Sequence, residues 1–333
     1  MASSPEEHQG ESQAFDPGAM IMHHIADSHE WHFFDGATLP LPVILYSSVR
    51  GLEIFPSSRF IDAEHRPVAY QGYVMEHDHI SSLDGQPVYD LSITKNVASM
   101  LVSVVLMFGV FFTIAARYKK DGGKAAPKGV QSFFEPIIIF IRDDIAKQNI
   151  GHKYERFMPY LLTVFFFIWF NNLLGLMPGS ANLTGNIAVT LVLAIFTFLI
   201  TQFSGTKDYW GHIFNTPGVP WWLKWGIPIM PVVEFIGIFT KPFSLMVRLF
   251  ANITAGHIII LSLFSLIFIF QSPAIGPLSV AFATFMNFLE LFVALLQAYI
   301  FTLLSAMYFG TAVEEHHHEH DHEEGHDSHQ ALA

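Results

Sequence analysis

The sequence has 333 residues, 51% of them hydrophobic, including 33 phenylalanines, and a mean hydropathy of +0.38, which is too apolar for an ordinary soluble protein of this size. It contains no cysteine, so disulfides are excluded. The formal net charge of −12 sits at the two ends: residues 1–95 hold 14 acids against Arg50, Arg59, Arg66 and Lys95, and residues 314–333 hold seven acids with no Lys or Arg.

Residues 1–95 read as a polar region outside the membrane, since no segment in them is long and apolar enough to span. Their start, Met-Ala-Ser-Ser-Pro-Glu-Glu, lacks the basic and apolar parts of a signal peptide. Between 41 and 75, apolar and β-branched residues alternate with turn signals at Gly51, Pro56 and Pro67, which predicts a small β-rich element. His23, His24, His29 and His32, with Asp27 and Glu30, form a weak metal-ligating pattern; as a helix, His23, Asp27 and Glu30 would share a face.

Asn96–Ala116 is uncharged for 21 residues and makes the first span, stopped by Arg117, Lys119 and Lys120. The connection 117–156 carries nine Lys and Arg, and within it the short apolar run Phe133–Ile141 predicts an interfacial helix. Phe157–Met177 and Ile187–Phe203 form the next two spans, joined by an uncharged turn around Pro178. Lys207, Lys224 and the tryptophans Trp221, Trp222 and Trp225 then mark an interface. The basic connections 117–156 and 204–226 belong on the cytoplasmic side by the positive-inside rule, which puts the N-terminus outside and the C-terminus inside.

The last two apolar segments, Ile227–Phe270 and Gly276–Gly310, are too long for upright spans. At a rise of 1.5 Å per residue they would reach about 66 and 52 Å, against a bilayer core of about 30 Å. They are expected to lie steeply tilted, with Pro242 set to kink the first. The fold class is therefore all-α and polytopic, with about five membrane helices, a membrane domain over 96–313 and a disordered His- and acid-rich tail over 314–333. The seven tail histidines give a second, weak metal-binding pattern.

From Trp225 to Val313 the only formally charged residues are Glu234, Lys241, Arg248 and Glu290. A charge in hydrocarbon costs several kcal/mol, so one kept there is functional by default. On an ideal helix Glu234, Lys241, Ser244 and Asn252 all fall within about 40° of Arg248, as one polar stripe. His257 falls opposite that stripe and is expected to meet different neighbours. In the last helix Glu290 and Gln297 share a face. An antiparallel hairpin sets Glu290 level with His257 and Gln297 level with Arg248, and an intramembrane His and Glu at one depth read as a proton relay.

Arg248-Leu-Phe-Ala-Asn252, followed by Ala255-Gly256, resembles the stator-arginine segment of subunit a of the F-type ATP synthase. Glu234, Lys241-Pro242 and Ser244 are similar to its upstream half, Asn171-Asn172-Leu173-Leu174 with Pro178 to its second span, and Glu290 with Gln297-Ala-Tyr-Ile-Phe301 to its final helix. The likeness covers roughly residues 90–318. It implies a non-catalytic stator with two offset half-channels beside a rotating c-subunit ring, in a bacterial inner membrane. Arg248 would face the ring's carboxylate, Asn252, His257, Glu290 and Gln297 would line the outer half-channel, and Glu234 and Ser244 would serve the cytoplasmic one. The implied partners are the c-ring, the peripheral-stalk b subunits, the rest of the complex and the bilayer, with no nucleic acid and no cofactor. Many bacterial members carry an acid at position 257 and a histidine at position 290; the order here is similar to that of mitochondrial members. Ala251 also replaces a glycine common in the family. On the residues alone the alternative is a secondary ion or metal transporter. That reading would call for inverted repeats or paired broken helices, and the sequence has no such internal symmetry.

Overall fold

The computed structural model describes residues 18, 26–34, 37–62, 66–76, 78–122, 126–177, 181–214, 229–270 and 275–314. The tail histidines, the tryptophans at 221, 222 and 225, and His23 and His24 lie outside the described residues.

Among the described residues before the first long helix, strands begin earlier and end later than the run 41–75. β1 (Glu30–Phe34) pairs antiparallel with β2 (Ala37–Pro40). β3 (Pro42–Ser47) is central in a second sheet, between β4 (Gly51–Pro56) and β7 (Val88–Asp90). β5 (Tyr73–Glu76) and β6 (His79–Ser82) make a hairpin. Alternation in β3 turns Val43 and Leu45 inward, where they meet Phe55, Phe60 and Tyr73. Glu30 is in a strand, so it lies on no helical face.

This small domain is tied to the root of α1 (Lys95–Asp121). The amides of Leu91 and Ile93 donate to the carbonyls of Ile44 and Pro42, and that of Lys95 donates to Ser28. The Asp27 carboxylate accepts from the Asn96 amide at 3.0 Å, placing an anion at the helix's positive end. Beside it, the Asp90 carboxylate meets the buried His29 ring at 3.3 Å.

Among the described residues five stretches are long and apolar enough to cross a membrane: Lys95–Lys120, Val130–Gly175, Ile187–Ser204, Val232–Ile267 and Gly276–Val313. The second is not one straight helix. α2 (Val130–Phe140) runs into a π-helical stretch, Ile141–Lys147, and a last turn, Gln148–Ile150, before Gly151, at φ +72°, breaks it from α3 (Tyr154–Gly175). The short interfacial helix expected at 133–141 is thus part of a longer element. Phe134, Ile141, Ile145 and Ile150 on it are buried in the main core, because they recur at helical spacing while Arg142, Asp143 and Lys147 pair among themselves outside.

α4 (Ile187–Ser204), α5 (Lys207–Phe214), α6 (Ile229–Phe270) and α7 (Ile275–Val313) follow. α6 continues through Pro242 as one helix of 42 residues, and α7 has 39. The core lies where α1, α2, α3 and the C-terminal half of α7 converge, with Phe157 stacked on Phe309 at 4.8 Å and Phe111 edge-on to Phe166 at 4.7 Å. Phe235, Phe239, Phe243, Phe285, Phe288 and Phe292 stay exposed, as apolar side chains do when the solvent is lipid.

Candidate functional site

The site is built on the antiparallel α6–α7 hairpin, whose contacts keep one register from end to end. Nearest the α6–α7 turn, His257 Nε2 stands 3.4 Å from Glu290 Oε1. Between one and two turns deeper, Asn252 Nδ2 donates to Gln297 Oε1 at 3.0 Å. Further on, the Lys241 ammonium sits 5.6 Å from the centre of the Tyr308 ring, and at the far end Glu234 and Glu314 line one cavity. Each step toward the start of α6 is matched by a step toward the end of α7.

Glu290 is 6% exposed, and both of its carboxylate oxygens are buried without a hydrogen-bond partner among the described residues. Its position depends on Gly256. A Cβ added there would lie 2.9 Å from Glu290 Oε1 and 3.2 Å from its carboxyl carbon. The glycine lets the carboxylate lie against the α6 backbone and reach His257 on the next residue. This corrects the expectation that His257 meets different neighbours from the stripe: both His257 and Asn252 meet α7, because Glu290 crosses over Gly256. Gln297 likewise bonds Asn252, four residues past Arg248, the residue it was expected to match in depth.

Arg248 and Ser244 are exposed on α6, on the face that also carries Asn252. Among the described residues no hydrogen bond or ion pair is made to Arg248.

Glu234 and Lys241 belong to a cavity of ≈ 380 Å³ at the other end of the hairpin, lined also by Asp208, Tyr209, Thr311 and Glu314. The Thr206 amide donates to the Ala312 carbonyl at 2.9 Å, pinning the α4–α5 connection to the end of α7. Burial pushes the Tyr209 hydroxyl above its ordinary pKa, and the charge of Glu234 adds to that rise. Asp208, Tyr209 and Thr311 carry no periodic signal, and only the chain's return to the hairpin brings them here. Another missed group is Asn172, quoted only as part of a motif, whose Nδ2 donates to the Ala294 carbonyl at 3.2 Å. Among the described residues no set of three His, Asp or Glu side chains is grouped to hold a metal.

The arrangement can carry protons. A buried carboxylate paired with an imidazole, an amide pair below it and an unpaired fixed cation below that form a graded polar path through an apolar hairpin.

Residues 97–310 match the family model described as the ATP synthase A chain, and residues 20–99 match one described as a domain of unknown function (DUF8433). The chain is 53% identical over 240 residues to "ATP synthase subunit a" of Chloroherpeton thalassium, which covers 72% of this chain and 71% of that one. It is 44% identical over 317 residues to "ATP synthase subunit a 2" of Chlorobaculum tepidum, across 92% of this chain and 77% of the relative. With "ATP synthase subunit a" of an Anaeromyxobacter species it shares 42% identity over 310 residues, 91% of this chain and 72% of the other.

Proposed function

This chain belongs to the ATP synthase A chain family, the proton-translocating stator subunits of the membrane sector, and we propose that it moves protons through two half-channels separated by Arg248. His257, Glu290, Asn252 and Gln297 line the half-channel that opens on the side of the N-terminal domain. Glu234 and Ser244 serve the other, whose mouth is the cavity with Lys241, Asp208 and Glu314. That side is cytoplasmic, as the nine Lys and Arg of connection 117–156 require under the positive-inside rule. The N-terminal domain is then extracytoplasmic.

The observation that carries this reading is the pairing of Glu290, buried and with no hydrogen-bond donor among the described residues, with His257 across the hairpin. A permanently charged carboxylate there would cost several kcal/mol, whereas one that exchanges its proton with a neighbouring imidazole is charged only in passing. Arg248 acts on a carboxylate of the c-subunit ring. A fixed cation favours the ionised acid while lipid favours the neutral one, so the ring's acid releases its proton beside Arg248 and takes one up on leaving. The chain catalyses no bond chemistry itself; its partners are the c-ring and the peripheral-stalk b subunits within the complex.

Arg248→Ala is expected to abolish ATP-driven proton pumping in membrane vesicles at normal subunit levels. Lysine is expected to substitute poorly, since a compact ammonium lacks the guanidinium's planar, delocalised fork. Near-normal coupled pumping by the alanine variant would refute the assignment.

A further inference from the structure

We infer that Thr184 and Asn172 are positioning residues for proton transfer at Glu290, holding the middle of α7 through the Ala294 carbonyl so that the carboxylate stands at His257. The inference rests on the reading of Glu290 as a proton carrier. The Thr184 hydroxyl donates to Asn172 Oδ1 at 2.6 Å, and Asn172 Nδ2 donates to the Ala294 carbonyl at 3.2 Å. All three residues are buried, at 0%, 3% and 0% exposure.

The direction of this chain is fixed by chemistry. A backbone carbonyl only accepts, so the Asn172 amide must turn its nitrogen to α7 and its oxygen away. That oxygen then needs a donor, and Thr184 supplies it. Ala294 lies four residues after Glu290 and three before Gln297, on the same stripe of α7. Its peptide N–H bonds the Glu290 carbonyl in the helix ladder, so holding Ala294 sets the rotation of the turn that bears Glu290. The alanines at 294 and 298, both fully buried, leave room for α3 to approach closely enough to make the bond.

The donor is itself held by the turn between α3 and α4. Leu183–Gly185 forms a single 3-10 turn in which Asn182 Oδ1 accepts from the Gly185 amide at 3.2 Å and lies 3.4 Å from the Thr184 oxygen, whose proton goes to Asn172. A Cβ on Gly185 would stand 2.6 Å from Asn182 Nδ2, so a larger residue there would displace the capping side chain. The connection between two spanning helices thereby positions a side chain on a third.

The test is passive proton conductance of the complete membrane sector in vesicles, over a pH series and at equal subunit levels. Wild type, Thr184→Val, Thr184→Ser and Glu290→Gln are compared. Valine keeps the shape of Thr184 but leaves Asn172 Oδ1 buried without a donor, so conductance should fall about tenfold and its pH profile should change. Serine keeps the hydroxyl and should restore both, while Glu290→Gln should lower conductance about as far as valine does or further. Wild-type conductance in Thr184→Val overturns the inference. So does a loss with an unchanged pH profile that serine fails to restore, because that describes a packing role alone. If Thr184→Val does not reach normal subunit levels, Thr184→Ala takes its place and is judged by the same criteria. Wild-type conductance in Glu290→Gln refutes the proton-carrier reading itself, and the positioning inference falls with it.

Discussion

The pairing of His257 with Glu290 makes a quantitative prediction. The two atoms are 3.4 Å apart, with the side chains 20% and 5% exposed, so little solvent screens them. Removing one partner of such a buried pair typically costs about 3–5 kcal/mol, because the other is left uncompensated. Every 1.36 kcal/mol that reaches the rate-limiting proton transfer slows it tenfold. If only a third of the cost reaches that step, His257→Leu or Glu290→Gln should each slow proton passage by about 5- to 20-fold. The exchange, His257→Glu with Glu290→His, keeps both members of the pair and reverses their order. The imidazole then introduced at 290 still finds the glycine at 256 beneath it. The exchange should therefore conduct better than either single variant. Passive proton conductance and proton-driven ATP synthesis, measured for all four proteins at equal assembly, give the answer. Independent behaviour, with the double variant no better than the summed losses, would refute the pairing.

Gly256→Ala should have a related but milder effect, lowering conductance with normal assembly, since the added Cβ meets the movable end of Glu290 at 2.9 Å rather than backbone. Gly310→Ala should act on folding instead: its Cβ would fall 1.9 Å from the backbone oxygen of Asn149, and overpacking of this kind costs about 1–3 kcal/mol or more, read as a lower unfolding temperature in detergent. In the N-terminal domain, burial raises the Asp90 carboxyl, but hydrogen bonds from His29 and Ser92 outweigh it and hold the group at about 2 against an ordinary 3.8. A lowered carboxylate contributes stability that is fully present above pH 3.8 and lost as pH falls through about 2. Thermal unfolding of the whole chain between pH 5 and 2 should therefore show an acid-side loss that Asp90→Asn abolishes, and an unchanged acid limb in that variant would refute the pairing.

Much of the architecture was legible because it follows from local properties. Apolar run length alone separates the five spans, and the excess length of α6 and α7 is visible as 42 and 39 helical residues. Helical periodicity likewise put Glu234, Lys241, Ser244, Arg248 and Asn252 on one stripe, since the angle between two residues depends only on their separation. Depth followed from the antiparallel hairpin, which is why Glu290 was correctly set level with His257. Rotation about the axis did not follow, because it is decided by which small residues allow a neighbour close. Gly256 admits the Glu290 carboxylate, and Ala294 admits Asn172. The same reason hid the cavity at Glu234, whose other walls arrive from α5 and from the last turn of α7. It also hid the continuation of α2, whose apolar residues after Phe140 are spaced among charges and count as core only against α3 and α7. The sequence by itself determined the class of the protein, the order of its spans and the identity of the polar residues that hydrocarbon would otherwise exclude. Only the tertiary structure decided which of those residues touch, because contact between helices depends on close packing of side chains that are far apart in the chain.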